Sequence, residues 1–150
     1  MGDTALGALK NNIAQLQSSL TWLRRSYDCC TRIGIKAEYT EAEYDHFENL
    51  SSRYARTTDV LIHKVLRSID AVEFINPGSV IDTANRAEKR GIIDSVSDLR
   101  MLKDIRNEIA HEYETKDLCE LFSLVLELIP RLFVIVSRTI AYCEPYIAQD

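Results

Sequence analysis

Four side chains that could act on a charged substrate lie close together in the segment IRNEIAHEY at 105–113. They are Arg106, Asn107, His111 and Tyr113. An arginine presents a planar fork of N–H donors that matches phosphate oxygens, and a histidine can accept or donate a proton near neutral pH. With a neighbouring amide, these residue types suit proton transfer and charge stabilisation at a phosphodiester. This segment is therefore the candidate site of the chain.

The spacing of these residues predicts where they face on a helix that turns about 100° per residue. Arg106 and Tyr113 fall inside the apolar sector, whereas Asn107 and His111 fall together at its edge. The sector consists of Val96, Leu99, Leu102, Ile105, Ile109 and Ala110. An arginine pointed into an apolar sector must be paired, hydrated or used, since burying an unpaired charge is costly. Arg106 and His111 lie about 140° apart around the helix and flank a groove. A second copy of the helix, related by a two-fold axis, could close them into one shared pocket.

The composition is that of a soluble globular protein with no general attraction to nucleic acid. At 150 residues, with 46% hydrophobic and 27% charged residues, the chain suits one domain, 1–150, with a single core. The formal net charge of −5 argues against a protein that coats DNA or RNA, but not against an enzyme with a local basic cleft. The start shows no signal-peptide pattern, and the apolar stretch 121–136 is interrupted by Glu127, Pro130 and Arg131. A cytoplasmic protein without a membrane span is predicted.

The cysteines give no sign of a metal site or a disulfide framework. They are Cys29, Cys30, Cys119 and Cys143, and their spacing matches neither CxxC pairs nor a Cys/His zinc pattern. Free thiols in a reducing compartment are predicted, with no metal and no cofactor.

Apolar residues recur at helical spacing along the whole chain. The pattern predicts long helices at about 4–33, 41–75, 95–113 and 116–147, and a short helix at 79–89. No alternation typical of a strand persists. The fold class predicted is therefore all-α, an antiparallel helical bundle of about four long helices plus a short one.

Local signals predict where these helices begin, end and bend. Thr40 followed by Glu43 fits a capping box, and Ser79 is placed to cap the short helix. Gly34 and Gly91 are predicted to end helices. Pro130 is predicted to bend the last helix, because proline removes one backbone hydrogen bond.

The segment RNEIAHEY at 106–113 resembles the Arg-x4–6-His motif of the HEPN superfamily, in the arrangement of HepT-like toxins paired with minimal nucleotidyltransferase antitoxins. Two other stretches resemble the same family and lie in the family's order: RYARTTDVLIHKVLRSID at 53–70 and NRAEKRGIIDS at 85–95. The first and last helices match it only as generic amphipathic helices. The fold implied is a HEPN-like bundle that forms a homodimer.

The resemblance implies a metal-independent endoribonuclease whose site is shared across the two-fold axis of that homodimer. Arg106 and His111 would be catalytic there, and Asn107 would be the polar residue that supports them. Tyr113 matches the tyrosine that the cognate nucleotidyltransferase antitoxin modifies with AMP, which silences the toxin. The partners implied are RNA, a second copy of the chain and the antitoxin, and neither DNA nor a membrane.

The stretch 86–106 has a local excess of positive charge that could serve an RNA substrate. It carries six basic residues against four acidic ones, although the whole chain is acidic. Besides Arg106, the candidate RNA-contacting residues are Arg86, Lys89, Arg90, Arg100 and Lys103.

Two other interpretations remain open from the residues. One is a non-catalytic HEPN-type module that binds RNA, a nucleotide or a partner protein in the same cleft, since a fold alone does not determine function. The other is a purely structural bundle in which Arg106 and His111 pair with carboxylates such as Asp59 or Asp70. A protein that is monomeric in solution would favour the structural interpretation.

Overall fold

The computed structural model describes residues 2–111 and 118–148, and every regular element in this part of the chain is helical. The order is α1 (Gly2–Ile33), α2 (Glu41–Asp59), a π-helical segment (Val60–Val65), α3 (Leu66–Val72), α4 (Val80–Lys89), α5 (Val96–Ala110) and α6 (Leu118–Ile147). The predicted all-α class is confirmed for the described residues.

Side-chain caps determine where three of the helices begin. Thr40 and Glu43 form the predicted capping box at α2, in which each side chain accepts a hydrogen bond from the other residue's backbone N–H. Ser79 and Asp82 form a second capping box at α4. Ser95 caps α5 by accepting from a backbone N–H within the first turn.

Helices α1 and α4 end at the two predicted glycines. Gly34 and Gly91 both adopt φ of 78°, a left-handed conformation that costs glycine little. The last helix, by contrast, continues through Pro130 and Pro145 as one element, so the bend at Pro130 stays a prediction. None of the described helices combines the length and the apolar character that crossing a bilayer would require.

The helix predicted at 41–75 is not uniform, because a π-helical segment separates α2 from α3. There the backbone N–H of Leu66 donates to the carbonyl of Leu61, five residues earlier instead of four. Such segments are rare and are often found at functional sites. The periodicity of the sequence did not predict this segment, which carries His63 and Lys64.

The core is one continuous apolar cluster to which every helical element contributes. α1 packs against α2, the π segment, α3 and α6. Phe47 of α2 stacks on Phe122 of α6 with ring centroids 5.2 Å apart, and Tyr27 of α1 meets Phe133 of α6 edge-on at 5.4 Å. These contacts hold α1, α2 and α6 together. α5 packs against α2, α4 and α6, and α4 also packs against α3.

All four cysteines are free thiols. Cys30 and Cys143 are buried in the core, and burial raises the pKa of each thiol to about 12. These two side chains therefore act as small apolar residues and not as nucleophiles.

A buried ionic cluster attaches α4 to α3. Asp70 is completely buried and accepts two hydrogen bonds of 2.9 Å from the Nε and Nη2 groups of Arg86. Arg90 is 7% exposed, with Nη1 2.9 Å from Asp70, while its Nη2 donates to Glu73 at 2.8 Å. The Arg90 Nη1 group lacks hydrogen-bond geometry, so its contact with Asp70 is electrostatic.

This cluster includes two of the predicted RNA-contacting residues. Arg86 and Arg90 are paired with carboxylates of the protein, and contact of either residue with RNA stays a prediction. Their positive charges have a structural role, because the two arginines compensate the buried charge of Asp70, and Arg90 also pairs with the partly exposed Glu73. Lys89 and Arg100 are exposed and Lys103 is half-buried.

Candidate active site

A buried hydrogen bond positions α5 against α2. The hydroxyl of Tyr54 donates to the backbone carbonyl of Leu102 at 2.8 Å, and burial raises the pKa of Tyr54, which keeps this hydroxyl protonated. About one turn further along both helices, Arg106 of α5 meets Asp59 at the end of α2. The Nε and Nη2 groups of Arg106 donate to the two carboxylate oxygens, each at 2.9 Å.

The exposure of the Asp59–Arg106 pair distinguishes it from the cluster at Asp70. The side chains of Arg106 and Asp59 are 30% and 39% exposed, whereas Asp70 is inaccessible to solvent. The hydrogen bonds to Asp59 raise the pKa of Arg106, so the guanidinium stays charged. An exposed pair contributes only about 0–1 kcal/mol to folding. The two hydrogen bonds matter more for the orientation of Arg106 than for folding. They hold its guanidinium group in one direction and leave Nη1 outside the pair.

The pair forms part of the wall of a cleft between α2, the π segment and α5. The cleft has a volume of about 1070 Å³. Ligand pockets in proteins typically measure about 300–1,000 Å³, so the cleft has room for a nucleotide or a short stretch of chain. Its charged and amide side chains include Arg56, Asp59, His63, Lys64, Arg106 and Asn107.

His63 is a cleft residue that the sequence reasoning missed. It is exposed, lines the same cleft as Arg106 and Asn107, and belongs to the π segment. The available signal was the stretch 53–70, which resembles the family and contains this histidine. It was not interpreted as a site because nothing along the chain brings His63 near position 106.

Ser51 is another lining residue of this cleft, and its hydroxyl oxygen is buried beneath the surface. The residue is 1% exposed, and its hydroxyl oxygen has no hydrogen-bond partner among the described residues. Buried hydroxyl groups are normally paired, and an unpaired one calls for an explanation. Because this oxygen is inaccessible to solvent, it offers no contact to a ligand in the cleft as the structure stands.

The apolar sector predicted for α5 is largely observed. Leu99, Leu102 and Ile109 are buried. Ala110, predicted on the buried side, is instead exposed. The reason is that Ala110 borders the cleft and meets open space, whereas Ile109 beside it packs into the core.

The predicted site residues come together only in part. Arg106 and Asn107 line the cleft, whereas His111 is an exposed residue at the C-terminal end of α5 and is not among the described lining residues. The backbone N–H of His111 donates to the carbonyls of Asn107 and Glu108, at 3.3 and 3.1 Å. Tyr113 lies in 112–117, outside the described residues.

The structural interpretation of Arg106 predicted a carboxylate partner, and Asp59 is that partner. Among residues 2–111 and 118–148, no group of three or more histidine, cysteine or acidic side chains is arranged to hold a metal ion.

Comparison with protein-family models, curated proteins and solved structures finds no match to this chain. Its function must therefore be inferred from the motif and the cleft.

Proposed function

We propose that this protein is a metal-independent endoribonuclease that cleaves RNA in the cleft between α2, the π segment and α5. The observation that carries the proposal is the position of Arg106. It stands in the wall of a large polar cleft, and Asp59 orients it through two hydrogen bonds. The remaining Nη1 group is the donor offered to a phosphate oxygen.

The residue types match the steps of RNA cleavage without a metal. A base removes the proton of the 2′-hydroxyl, whose oxygen attacks the adjacent phosphorus, and an acid protonates the 5′-oxygen as its bond to phosphorus breaks. The products carry a 2′,3′-cyclic phosphate and a 5′-hydroxyl. In this proposal Arg106 stabilises the negative charge of the phosphorane, His111 transfers a proton, and Asn107 orients the phosphate. DNA lacks the attacking hydroxyl and is not a substrate.

Two proton transfers require two groups, and the chain offers two arrangements. In the first, a homodimer brings two copies of His111 to one cleft, as the motif resemblance implies. In the second, His63 supplies the other group, since it lines the cleft that contains Arg106. Both arrangements use imidazole side chains that are exposed to solvent.

The test is cleavage of total cellular RNA by the purified protein in excess EDTA. We expect the wild type to release fragments ending in 2′,3′-cyclic phosphate and Arg106→Ala to release none, because the variant has no donor for the phosphorane. Arg106→Lys is the matched control, since it keeps the charge but loses the two-pronged contact with Asp59. Cleavage that is equally fast in Arg106→Ala would rule out this site.

The alternative function is a non-catalytic module that binds RNA, a nucleotide or a partner protein in the same cleft. It is favoured by the place of His111, which is not among the described residues lining the cleft of one protomer. Dimeric protein without AMP on Tyr113 that binds RNA but leaves it intact would establish this alternative.

We further propose that the active form is a homodimer and that a cognate nucleotidyltransferase antitoxin silences it by transferring AMP to Tyr113. The modification would add a bulky anion two residues from His111, which opposes RNA through both volume and charge. Tyr113→Phe removes the acceptor oxygen and keeps the ring.

Cells that express Tyr113→Phe together with the antitoxin are expected to stop growing, whereas cells with the wild-type pair should grow. The readout is growth, with the mass of the purified protein reporting the added AMP. Arg106→Ala combined with Tyr113→Phe is the control, because toxicity caused by RNA cleavage should then disappear. Full protection of Tyr113→Phe by the antitoxin would exclude this tyrosine from regulation.

A further inference from the structure

A second groove lies between α1 and α2 and is unusually basic for an acidic chain. Its volume is about 420 Å³. Its lining includes Trp22, Arg25 and Arg32 from α1, and His46, Asn49 and Arg53 from α2. None of the described lining residues is acidic, although the chain as a whole has a net charge of −5. The groove is therefore a local concentration of positive charge.

The three arginines of the groove are not neutralised by carboxylates in the described part of the chain. Arg86, Arg90 and Arg106, by contrast, all have acidic partners. Arg53 is oriented by a hydrogen bond of 2.7 Å from Nη1 to the Ser26 hydroxyl, which fixes the guanidinium without cancelling its charge. Arginines held in this way can bind anions at little cost in side-chain entropy.

An exposed indole lies among these charges. Trp22 is 47% exposed and is the single tryptophan of the chain. The guanidinium carbons of Arg25 and Arg53 lie 5.6 and 5.2 Å from its ring centroid. Both guanidinium groups lie over the ring, and part of the indole remains exposed. An exposed aromatic ring next to cations is the combination that binds single-stranded nucleic acids, with bases stacked on the ring and phosphates on the arginines.

The spacing of residues extends this surface along both helices. Trp22, Arg25, Cys29 and Arg32 follow one another at intervals of three, four and three residues on α1, and His46, Asn49, Arg53 and Arg56 repeat these intervals on α2. Each set therefore occupies one side of its helix. Asn49 lines both the groove and the large cleft, and Arg56 lines the cleft. The groove therefore adjoins the cleft that contains Arg106.

We propose that this groove binds single-stranded RNA, with phosphates on Arg25, Arg32 and Arg53 and one base stacked on Trp22, and that it directs the strand toward the cleft. The shape favours a flexible chain over a membrane, because the aromatic ring lies in a concave surface lined by polar side chains. The proposal rests on the proposed function in naming RNA as the ligand. Binding, however, is measurable without cleavage.

Because Trp22 is the single tryptophan, its fluorescence reports on the groove directly. The probe is a short 2′-O-methyl oligoribonucleotide, which lacks the attacking hydroxyl and stays intact. We expect it to quench Trp22 on binding, since a stacked base contacts the indole. Trp22→Leu should weaken binding about ten-fold or more, measured by the anisotropy of a labelled oligonucleotide, because it removes the stacking surface.

Arg25→Gln and Arg32→Gln test the phosphate contacts. Both side chains are exposed, so these changes leave the core intact. Each should weaken binding and lower the salt dependence, reducing the slope of log K against log salt by about 0.7. Arg138→Gln is the matched control. It removes an exposed arginine of α6 that pairs with Asp94 outside the groove, and it should bind RNA like the wild type.

Three results would overturn the proposal: no quenching by the oligonucleotide, equal quenching by polyphosphate, or unchanged affinity in Trp22→Leu and Arg25→Gln.

A blue shift with phosphatidylserine vesicles, but no response to RNA, would assign the groove to a membrane surface. Dissociation of a dimer by Trp22→Leu, again without a response to RNA, would assign it to contact between copies. Quenching without cleavage of natural RNA would support RNA binding in the groove and contradict the proposed nuclease activity. Cleavage without quenching would support the nuclease activity and contradict RNA binding in the groove.

Discussion

Alanine at His111 is expected to slow RNA cleavage by about 100- to 10,000-fold, the range typical of losing one group that transfers a proton in the transition state. The protein should remain folded, because His111 is an exposed residue at the end of α5. The measurement is the rate of appearance of cyclic-phosphate ends at saturating RNA. An unchanged rate in stable, dimeric His111→Ala would exclude this histidine from the chemistry.

The other two histidines of the chain provide matched controls, since all three are exposed and each occupies a different place. His63→Ala should cause a comparable loss of rate if acid and base come from the same protomer, and no loss if a second copy of His111 supplies the other group. His46 lies in the basic groove, so His46→Ala should raise KM and leave kcat unchanged.

Mixed dimers distinguish a shared site from a self-contained one. A dimer of one Arg106→Ala protomer and one His111→Ala protomer retains an intact arginine on one copy and an intact histidine on the other. If each site draws its arginine and its histidine from different protomers, one complete site is restored and cleavage returns. A stable mixed dimer without activity would contradict this arrangement. A site that needs both copies of His111 would also be inactive, because the mixed dimer carries only one.

Alanine at Asp70 is expected to lower the free energy of unfolding by about 3–5 kcal/mol, because it leaves the nearly buried charge of Arg90 without one of its acidic partners and releases Arg86. Asp59→Ala makes the same chemical change at the half-exposed pair with Arg106, and it should cost less than about 1 kcal/mol. Urea denaturation of both variants measures the difference.

For the rate of RNA cleavage we expect the reverse order, with the larger loss in Asp59→Ala and the smaller loss in Asp70→Ala. Asp59→Ala removes the hydrogen bonds that orient Arg106, so the folded variant should cleave RNA more slowly. The fraction of Asp70→Ala protein that stays folded should keep its activity per molecule. The reason is that the Asp70 cluster is separate from the residues that line the cleft. Similar losses of stability in both variants would mean that the Asp59–Arg106 pair is structural.

The sequence by itself determined the helices and most of their ends. The caps at Thr40 and Ser79 and the stops at Gly34 and Gly91 depend on chemistry within a single turn, and all four agree with the structure. The α5 helix was likewise predicted from its apolar spacing. Such features are local, because a helix is formed by residues only a few positions apart.

Only the tertiary structure decided which charges are paired inside the protein and which lie at an open cleft. Arg86 and Arg106 look alike in the sequence, yet one compensates a buried aspartate 16 positions away and the other lies in an open cleft beside an aspartate 47 positions away. The place of His63 and the meeting of Trp22 with Arg53 were likewise invisible along the chain. The physical reason is that burial and pairing depend on which helices pack together, and this packing is set by the whole core.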